Sequence, residues 1–555
     1  MALHRLATFD SALNSVRICH RTSQHVLRSS ATQSLAARRT NTSVLARNGR
    51  LAQYSRLHTR SFSSSVVVKE QKQQQPKVHE DAQSTQASAE TSSSQGTAQE
   101  TGNTRAELAT ETLPDGWEDD PDYNISSFSQ LPHRYFGHNQ HIRVNEEFKE
   151  ALRQILWQFR APIRYAFAYG SGVFGQKNSK PSTMDLSPHP HPPKAVEDWQ
   201  KGGAKIIDFI FGVSHTQHWH SLNLTQYPEH YSGLRHLPNA SAAISWLQDQ
   251  TGAGVYFNPY ITVNGIMIKY GVVNLDTLST DLSEWSTLYL AGRLQKPVKI
   301  LRDDARIRLA NQVNLISALR TALLMLPEKF TERELYERIA GLSYMGDPRM
   351  NPYLASENPN KVKNIVGAQL PGFRQLYVPL IENLPNADFN DHRRPHEVGW
   401  EKEDAIRHTG SGADLSDVLG GLDGLSLQQD MDPVRRGNMV RRLPKAFRNK
   451  LYHQYKAKFG ITGADFNELM QAAADEDNAE GFRRREAGDF ERRIAGESDL
   501  PSVLSKTVSK TVAWPSTTQT IKSVLSAGVS RSWKYYGEKR KKGTQKAAPV
   551  TKKSE

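Results

Sequence analysis

A glycine-rich octapeptide, YGSGVFGQ, occupies residues 169–176 and follows a short apolar segment, 164–169, that is predicted to be a β-strand. It matches the pattern G-x-G-x-x-G, yet three familiar interpretations of that pattern fail. A dinucleotide-binding turn needs a helix directly afterwards, whereas Pro181 and Pro188 follow here. A P-loop needs Gly-Lys-Ser/Thr, which residues 175–177 (GQK) do not provide. A protein kinase loop needs HRD and DFG motifs downstream, and the chain has neither.

The next apolar segment, KIIDFIFGV at 205–213, contains one acidic residue, Asp208. An ionised carboxylate in an apolar strand costs free energy unless it has a partner, and a divalent metal ion would be one. The alternative is a carboxylate at a strand end that accepts hydrogen bonds from backbone amides. Turn and carboxylate together resemble nucleotidyltransferases of the polymerase-β type. In those enzymes a strand ends in Gly-Ser, amides and the Ser hydroxyl hold a triphosphate, and carboxylates on a neighbouring strand hold Mg²⁺.

Sites of that type usually carry two acidic residues at alternating positions, which face the same side of a strand. Here the second position is Ile210, so a second metal ligand must come from elsewhere. The sequence leaves four candidates open: Asp185, Asp276, Asp281 and Asp303. A zinc site at His215, His218 and His220 is disfavoured, because no Cys or acidic residue lies near them with ligand spacing.

The octapeptide and DFIFGV (208–213) are followed by more motifs in a fixed order. These are WHSLNL (219–224), HYS (230–232), GAGVY (252–256), IKYGV (268–272), LYLAGRLQKPV (288–298), AGLSY (340–344) and a C-terminal segment, 519–529. In this order they resemble the mitochondrial phosphatidate cytidylyltransferases, also called translocator assembly and maintenance proteins. The resemblance covers about 130–380 and the tail. It does not cover 1–120, 178–203 or 385–440.

The resemblance implies an enzyme that converts CTP and phosphatidate into CDP-diacylglycerol and pyrophosphate with Mg²⁺, upstream of phosphatidylglycerol and cardiolipin. It implies a peripheral location on the matrix side of the mitochondrial inner membrane. The implied fold is α/β, with a polymerase-β-type nucleotidyltransferase domain, a mainly helical winged-helix-like domain and a C-terminal amphipathic helix. Two other functions stay open: a nucleotidyltransferase with another acceptor, such as RNA or protein, and a non-enzymatic inner-membrane assembly factor for protein import.

Two residues are expected to be catalytic: Asp208, which would also hold the metal, and Lys269, whose ammonium among apolar strand residues would bind a substrate phosphate. The alternative for Lys269 is a strand lysine whose ammonium reaches solvent. Further candidates are expected to contact CTP or a substrate phosphate, or to line the cleft. They are Tyr169, Gly170, Ser171, Gly172, His220, Asn223, Arg293 and Lys296. For the last two, which could bind triphosphate or lipid phosphate, a surface charge is the alternative.

Positive charge is concentrated at the two ends of the 555-residue chain, whose formal net charge is +13. Residues 1–60 hold ten Arg and one acidic residue, and 501–555 hold twelve Lys and Arg against two acidic residues. The remaining body is therefore net acidic. Because a nucleic-acid-binding protein more often carries its basic surface on the folded domain, no nucleic-acid partner is expected.

Composition and periodicity, together with the fold that the resemblance implies, give five predicted regions. They are a mitochondrial transit peptide (1–62), a disordered linker (63–125), the nucleotidyltransferase domain (126–300), the helical domain (301–500, with a disordered insertion at about 385–440) and a membrane-binding tail (501–555). Within them we predict a helix at 146–159, a hairpin at 260–273, a mainly helical stretch at 305–380 and a capping box of Thr331 with Glu334.

The tail has the composition of an interfacial helix. Its apolar positions follow helical spacing and are Ile521, Val524, Leu525, Val529, Trp533 and Tyr536. Lys522, Arg531 and Lys534 are interleaved, and the basic run KRKK follows at 539–542. This pattern predicts contact with anionic lipid, and the alternative is a helix docked on the core. No apolar run approaches the roughly 18 residues of a transmembrane helix.

Overall fold

The apolar segments on either side of the octapeptide lie side by side in one mixed β-sheet of the computed structural model. The structure describes residues 117, 121–174, 206–350, 358–385, 387–389, 426–478 and 486–527. The strands are β1 (Tyr165–Tyr169), β2 (Ile207–Val213), β3 (Val255–Val263), β4 (Ile266–Asn274), β5 (Lys299–Arg302), β6 (Lys329–Thr331), β7 (Ala387–Phe389) and β8 (Ser426–Gln429).

Helices pack on both faces of this sheet. They also make up most of the second half of the described chain. They are α1 (Glu146–Trp157), α2 (Thr216–Gln226), α3 (Ala240–Asp249), α4 (Leu275–Glu284), α5 (Ala291–Leu294), α6 (Ala305–Met325), α7 (Glu332–Leu342), α8 (Lys361–Glu382), α9 (Pro433–Arg441), α10 (Lys445–Phe459), α11 (Gly463–Asn478), α12 (Asp489–Gly496) and α13 (Leu500–Ala527).

The five-stranded sheet has the order β3-β4-β2-β1-β5. β1 is antiparallel to both β2 and β5, β2 is parallel to β4, and β3 and β4 form an antiparallel hairpin. The hairpin turns at Asn264 and Gly265, whose φ angles are both positive, as a tight two-residue turn requires. The predicted hairpin is confirmed, and its first strand begins earlier than predicted, at Val255.

The register of three adjacent strands aligns the two residues predicted to be catalytic with Tyr169, which is predicted to contact substrate. Tyr169 pairs with Asp208 across β1 and β2, and Asp208 pairs with Lys269 across β2 and β4. Directly opposed residues of neighbouring strands point to the same face of a sheet. The three side chains therefore form a row across one face.

The two faces of the sheet pack against different helices. On one face, Phe209 and Phe211 of β2 lie in a core with Leu152 and Ile155 of α1. On the other face, Ile210 lies in a larger core that includes residues of α4, α6, α7 and α8. Since side chains alternate along a strand, Asp208 belongs to the face of Ile210 and points towards the helical half of the protein.

In the helical half, a three-stranded sheet of order β6-β8-β7 packs with α6, α7 and α8. The predicted capping box at the start of α7 is confirmed: Glu334 N donates to Thr331 Oγ1, and the Glu334 carboxylate accepts from the amide of Thr331. A buried ion pair joins α7 to α8, with Arg374 Nε 2.8 Å from Glu332 Oε1. The domain boundary at residue 300 stays a prediction.

Two predictions of disorder are wrong at their edges. Trp117 and Ile125, which fall in the predicted linker, pack in the core, and the Trp117 ring meets Phe136 edge to face at 5.0 Å. Within the predicted insertion, the described segments include β7, β8 and part of α9, and Leu427 is fully buried. Side chains of these segments, such as Leu427 and Ile125, pack in hydrophobic cores with residues distant in the sequence, which a local composition pattern does not reveal. The predicted transit peptide lies outside the described residues.

The last described helix, α13, docks on the body through Leu504, Val508 and Val512. Lys522, expected to face lipid, is instead buried, and its ammonium donates to the carbonyl oxygens of residues 247, 248 and 251 at 2.8–3.3 Å. It thereby caps the C-terminal end of α3, where unpaired carbonyls attract a cation. Of the helices described, none combines the length and apolar character needed to cross a bilayer.

Candidate active site

The row across the sheet forms the centre of the candidate site. Lys269 Nζ lies 3.7 Å from Asp208 Oδ1, and their side chains are 24% and 31% exposed. The same ammonium lies 4.4 Å from the ring centre of Phe257 on β3. Both charges are thus held by the rigid sheet while one side of each stays open. This arrangement can hold a cation at the carboxylate and an anion at the ammonium.

The glycine-rich turn lies against the Asp208 carboxylate. Gly170 has a φ of +82°, which favours glycine, and a Cβ there would be 3.5 Å from Asp208 Oδ2. A Cβ on Gly172 would lie 2.6 Å from the carbonyl oxygen of Ile206, so only glycine fits against β2. The amides of Val173 and Phe174 both donate to Gly170 O at 3.0 Å, which closes the turn. Ser171, at its tip, is exposed.

Arg293 contacts the row of Tyr169, Asp208 and Lys269 through a hydrogen bond to Tyr169. Its Nε donates to the Tyr169 hydroxyl at 3.3 Å, a second nitrogen donates to the carbonyl of Tyr289, and the guanidinium lies 3.9 Å from the Tyr289 ring centre. Lys296, one turn further, donates to Gly292 O and, at 2.8 Å, to Ser343 Oγ. Burial, reinforced by the nearby charges of Arg293 and Lys361, lowers the pKa of Lys296 to about 7. Neither residue is a plain surface charge.

Sequence reasoning missed the part that Asp281 plays in positioning these cations. Its two carboxylate oxygens accept from the backbone amides of four residues in 287–291 and from two hydroxyls, at 2.8–3.3 Å. This buried carboxylate therefore fixes the loop that leads into α5, which carries Arg293. An Asp in the middle of a helix gives no sequence signal for such a role.

Three of the four candidates for a second metal ligand are engaged elsewhere in the described part of the chain. Asp276 pairs with Arg306, and Asp303 accepts from Arg308 at 2.9 Å. Asp281 is bonded to the loop, and Asp185 lies outside the described residues. Within the described ranges there is no group of three or more His, Cys, Asp or Glu side chains suited to a metal ion. A single carboxylate beside a glycine-rich turn still fits Mg²⁺, which is often bound by one or two carboxylates plus substrate phosphates.

His220 and Asn223 lie in a buried polar network under the opposite face of the sheet. Asn223 Nδ2 donates to the hydroxyls of Tyr231 and Tyr270, both at 3.0 Å. Tyr270 is next to Lys269 in β4, so its side chain points the other way. The structure thus does not bring His220 and Asn223 to the row, and their contact with substrate stays a prediction.

The donor pattern of this network is consistent with a neutral His220. Its Nε2 lies 2.8 Å from Gln248 Oε1, an acceptor, and its Nδ1 lies 2.8 Å from the Tyr231 hydroxyl. Nε2 therefore carries the proton, and Nδ1 accepts from Tyr231. Burial lowers the pKa of His220 to about 4, which agrees with the neutral form.

Comparison with known proteins gives one family. A family model described as "Phosphatidate cytidylyltransferase, mitochondrial" matches residues 152–542. The chain is 34% identical over 409 residues to the protein of that name from Schizosaccharomyces pombe, covering 73% of this chain and 86% of the relative. It is 34% identical over 390 residues to the Xenopus laevis protein of the same name, covering 70% of this chain and 93% of the relative. It is 42% identical over 261 residues to the Saccharomyces cerevisiae protein, covering 46% of this chain and 61% of the relative. With a match over more than half its length, the chain belongs to the mitochondrial phosphatidate cytidylyltransferase family.

Proposed function

We propose that this protein transfers the cytidylyl group of CTP to phosphatidate in mitochondria, which forms CDP-diacylglycerol and releases pyrophosphate. The observation that carries the proposal is the row of Tyr169, Asp208 and Lys269 beside the Gly170–Ser171 turn. An oxygen of the phosphatidate phosphate attacks the α-phosphorus of CTP, and the bond from that phosphorus to the β-phosphate oxygen breaks. The attacking oxygen is already ionised near neutral pH, so the step needs no general base.

The main barrier to the reaction is electrostatic repulsion between the phosphate of phosphatidate and the triphosphate of CTP. The proposed residue roles reduce this repulsion. Asp208 would hold Mg²⁺ together with the nucleotide phosphates. The bound ion would supply Lewis-acid polarisation of the phosphoryl group and neutralise developing charge. Gly170 leaves space for a phosphate next to Asp208, and the exposed Ser171 hydroxyl would donate to the departing pyrophosphate. Lys269, held by Asp208 and Phe257, would orient the attacking phosphate of phosphatidate.

The fold supports this assignment at the level of architecture. A short strand that ends in Gly-Ser, followed by a neighbouring strand with an inward-facing Asp, is the arrangement expected of a polymerase-β-type nucleotidyltransferase. The small antiparallel sheet β6-β8-β7 with α6, α7 and α8 has the element content of a winged-helix-like domain. We propose both as the domain types of this chain.

An assay of label transfer tests the proposed function. The purified protein should move label from α-labelled CTP into lipid when given phosphatidate and Mg²⁺. Asp208→Asn should lower this rate by at least about a hundredfold, because it removes the charge that holds the metal. Asp430→Asn is the matched control, since that carboxylate lies half-exposed in an ion pair with Arg435. Label that enters RNA or protein rather than lipid, or an unchanged rate in Asp208→Asn, would contradict the proposal.

We further propose that α13 contacts anionic lipid on the matrix side of the inner membrane. With Lys522 turned inwards, the outward face of this helix carries Trp514 and Ile521, 68% and 61% exposed, and Val524. These positions are seven and three residues apart and so share one side of the helix. The basic run at 539–542 follows along the chain and would bind lipid headgroups.

Flotation with liposomes tests the lipid contact. Replacement of Trp514 and Ile521 by Ser should weaken flotation with cardiolipin-containing liposomes severalfold, because each residue loses an apolar side chain that would be buried in lipid. Trp157→Ser provides the matched control, since Trp157 is equally exposed but lies on α1. Equal loss in the control, or no loss in either variant, would remove α13 from the membrane contact.

A further inference from the structure

The two halves of α13 dock on the body in different ways. The first half packs Leu504 and Val508 into the large hydrophobic core. The second half begins after Pro515 and turns the polar residues Gln519 and Lys522 inwards, where both are 2% exposed. Among the side chains that the structure describes, docking of this half therefore depends on polar contacts more than on an apolar stripe.

Lys522 makes the hydrogen bonds that join this second half to the body. A lysine ammonium has three N–H donors, and here they meet three acceptors. These are the carbonyl oxygens of Leu247, Gln248 and Thr251, at 3.3, 3.2 and 2.8 Å. The neighbouring hydroxyls bond within their own helix, and the Gln519 amide has no hydrogen-bond partner among the described residues. The polar docking of this half therefore rests on one side chain.

The contact at the end of α3 is close, and a possible bend point precedes it in α13. A Cβ on Gly252 would lie 3.3 Å from Thr518 Cβ, so the turn after α3 passes directly beside the helix. Pro515 lies inside α13 and cannot donate to the carbonyl four residues earlier, which makes it a position where a helix bends. Without the bonds of Lys522, the second half would be free to change its angle to the body at Pro515.

The segment that Lys522 holds also carries Ile521 and Val524, which belong to the outward apolar face of α13. We propose that Lys522 is a positioning residue, which fixes this face to the body and so sets the orientation of the site relative to the bilayer. The inference rests on the proposed function for the lipid contact and the lipid substrate. Phosphatidate in a bilayer has one orientation, so a tilted site would meet its phosphate poorly. Dissolved phosphatidate approaches from any direction and does not depend on the tilt.

Turnover of the same lipid in two physical states tests the positioning role. One substrate is long-chain phosphatidate in cardiolipin-containing vesicles, and the other is dihexanoyl phosphatidate below its micellar concentration. Lys522→Met should lower the rate with vesicles by about tenfold or more, because a misoriented site loses the benefit of alignment. The rate with the dissolved substrate should stay within about twofold, because the catalytic residues are unchanged. Flotation with the vesicles should persist, since the outward apolar residues and the basic run at 539–542 are retained.

Controls separate positioning from folding and from membrane binding. Lys506→Met removes an exposed ammonium from the first half of the same helix and should leave the ratio of the two rates unchanged. If Lys522→Met loses both rates equally, Lys522→Gln, which keeps an amide donor, takes its place. An equal loss in that variant as well would make the role structural and overturn the proposal. An unchanged ratio in Lys522→Met, or a loss of flotation that accounts for the lower rate, would overturn it too.

Energy transfer between the body and the bilayer tests the orientation without turnover. Cys19 is the only cysteine of the chain, so Cys19→Ser with Glu147→Cys carries a label at one exposed position of α1. On vesicles with headgroup-labelled lipid, this protein should give a narrow distribution of transfer distances. Adding Lys522→Met should broaden or shift the distribution, and the same distribution in both proteins would overturn the proposal. A wild-type protein inactive with both substrates would contradict the proposed function and leave this measurement valid.

Discussion

At the scale of single residues, Asp281 organises the site without touching the proposed substrates. Its carboxylate serves six donors, and an amide side chain could accept from fewer of them while it turned an N–H group towards backbone amides. We expect Asp281→Asn to lower the free energy of unfolding by about 2–4 kcal/mol. Asp276→Asn, on the same helix but exposed, should cost about 1 kcal/mol or less. Urea unfolding of both variants measures the difference, and equal losses would contradict the assigned role.

His220 gives a pH dependence with a definite sign. Its pKa is about 4 in the folded protein and near 6.5 when unfolded, so the unfolded chain binds more protons between these values. The stabilising contribution is fully present above pH 6.5 and is lost as the pH falls towards 4. From pH 7 to pH 5 we expect a loss of roughly 2 kcal/mol from this residue. Denaturant unfolding at both pH values should show a smaller loss for His220→Gln; an equal loss in both proteins would show that His220 is not buried neutral.

Sequence patterns identify Asp208 and the Gly-Ser turn, but they do not show how the neighbouring residues of the site are positioned. Asp208 stands out because it interrupts an apolar strand, and the Gly-Ser turn stands out because of its glycines. Placement of Lys269 next to Asp208 needed the parallel pairing of β2 with β4, which depends on a helical connection and not on a local pattern. His220 and Asn223 belong to a recognised motif, yet the motif does not tell on which side of the sheet they lie.

At the scale of elements, removal of one partner of the buried ion pair between α7 and α8 should strongly destabilise the helical half. Arg374 and Glu332 are both almost fully buried and bonded at two points. Glu332→Gln should lower the free energy of unfolding by about 3–5 kcal/mol, because it leaves a buried guanidinium without its counter-charge. The double replacement by Met should recover most of this loss, since two apolar side chains need no partner. Thermal unfolding of the single and double variants measures this difference in stability. A double variant as unstable as the single one would contradict this explanation.

Elements with strong local signals were predicted well, and those stabilised by distant contacts were not. The strands β1 and β2, the hairpin and the capping box all follow from period, turn residues and caps within a few positions. The helical period of α13 is visible in the sequence, but the face that packs on the body is not. Lys522 faces inwards because its ammonium donates to carbonyl oxygens of residues more than 270 positions earlier in the chain. The short β8 was hidden in a Gly- and Asp-rich region because its order comes from pairing with β6 and β7.

At the scale of the whole molecule, the proposed catalytic site and the proposed lipid contact use charges in different parts of the chain. The proposed site uses a few charges held by the sheet and by α5, where burial weakens screening by salt. The proposed lipid contact relies on the basic run at 539–542, which lies beyond the described residues. The net charge of +13 therefore reflects the two ends of the chain more than the proposed catalytic surface.

This separation predicts different salt dependences for membrane binding and for chemistry. Raising the salt concentration from about 0.1 M to 1 M shortens the screening length from roughly 10 Å to 3 Å, which removes most attraction between exposed charges and lipid. Flotation with cardiolipin liposomes should fall severalfold over this range, while turnover of dihexanoyl phosphatidate should change much less. Replacement of residues 539–542 by Gln should lower flotation at 0.1 M and flatten its salt dependence, with turnover of the soluble substrate retained. A variant that keeps the full salt dependence would place the lipid-binding charge on the folded body, and the apolar face of α13 would then need a basic surface beside it.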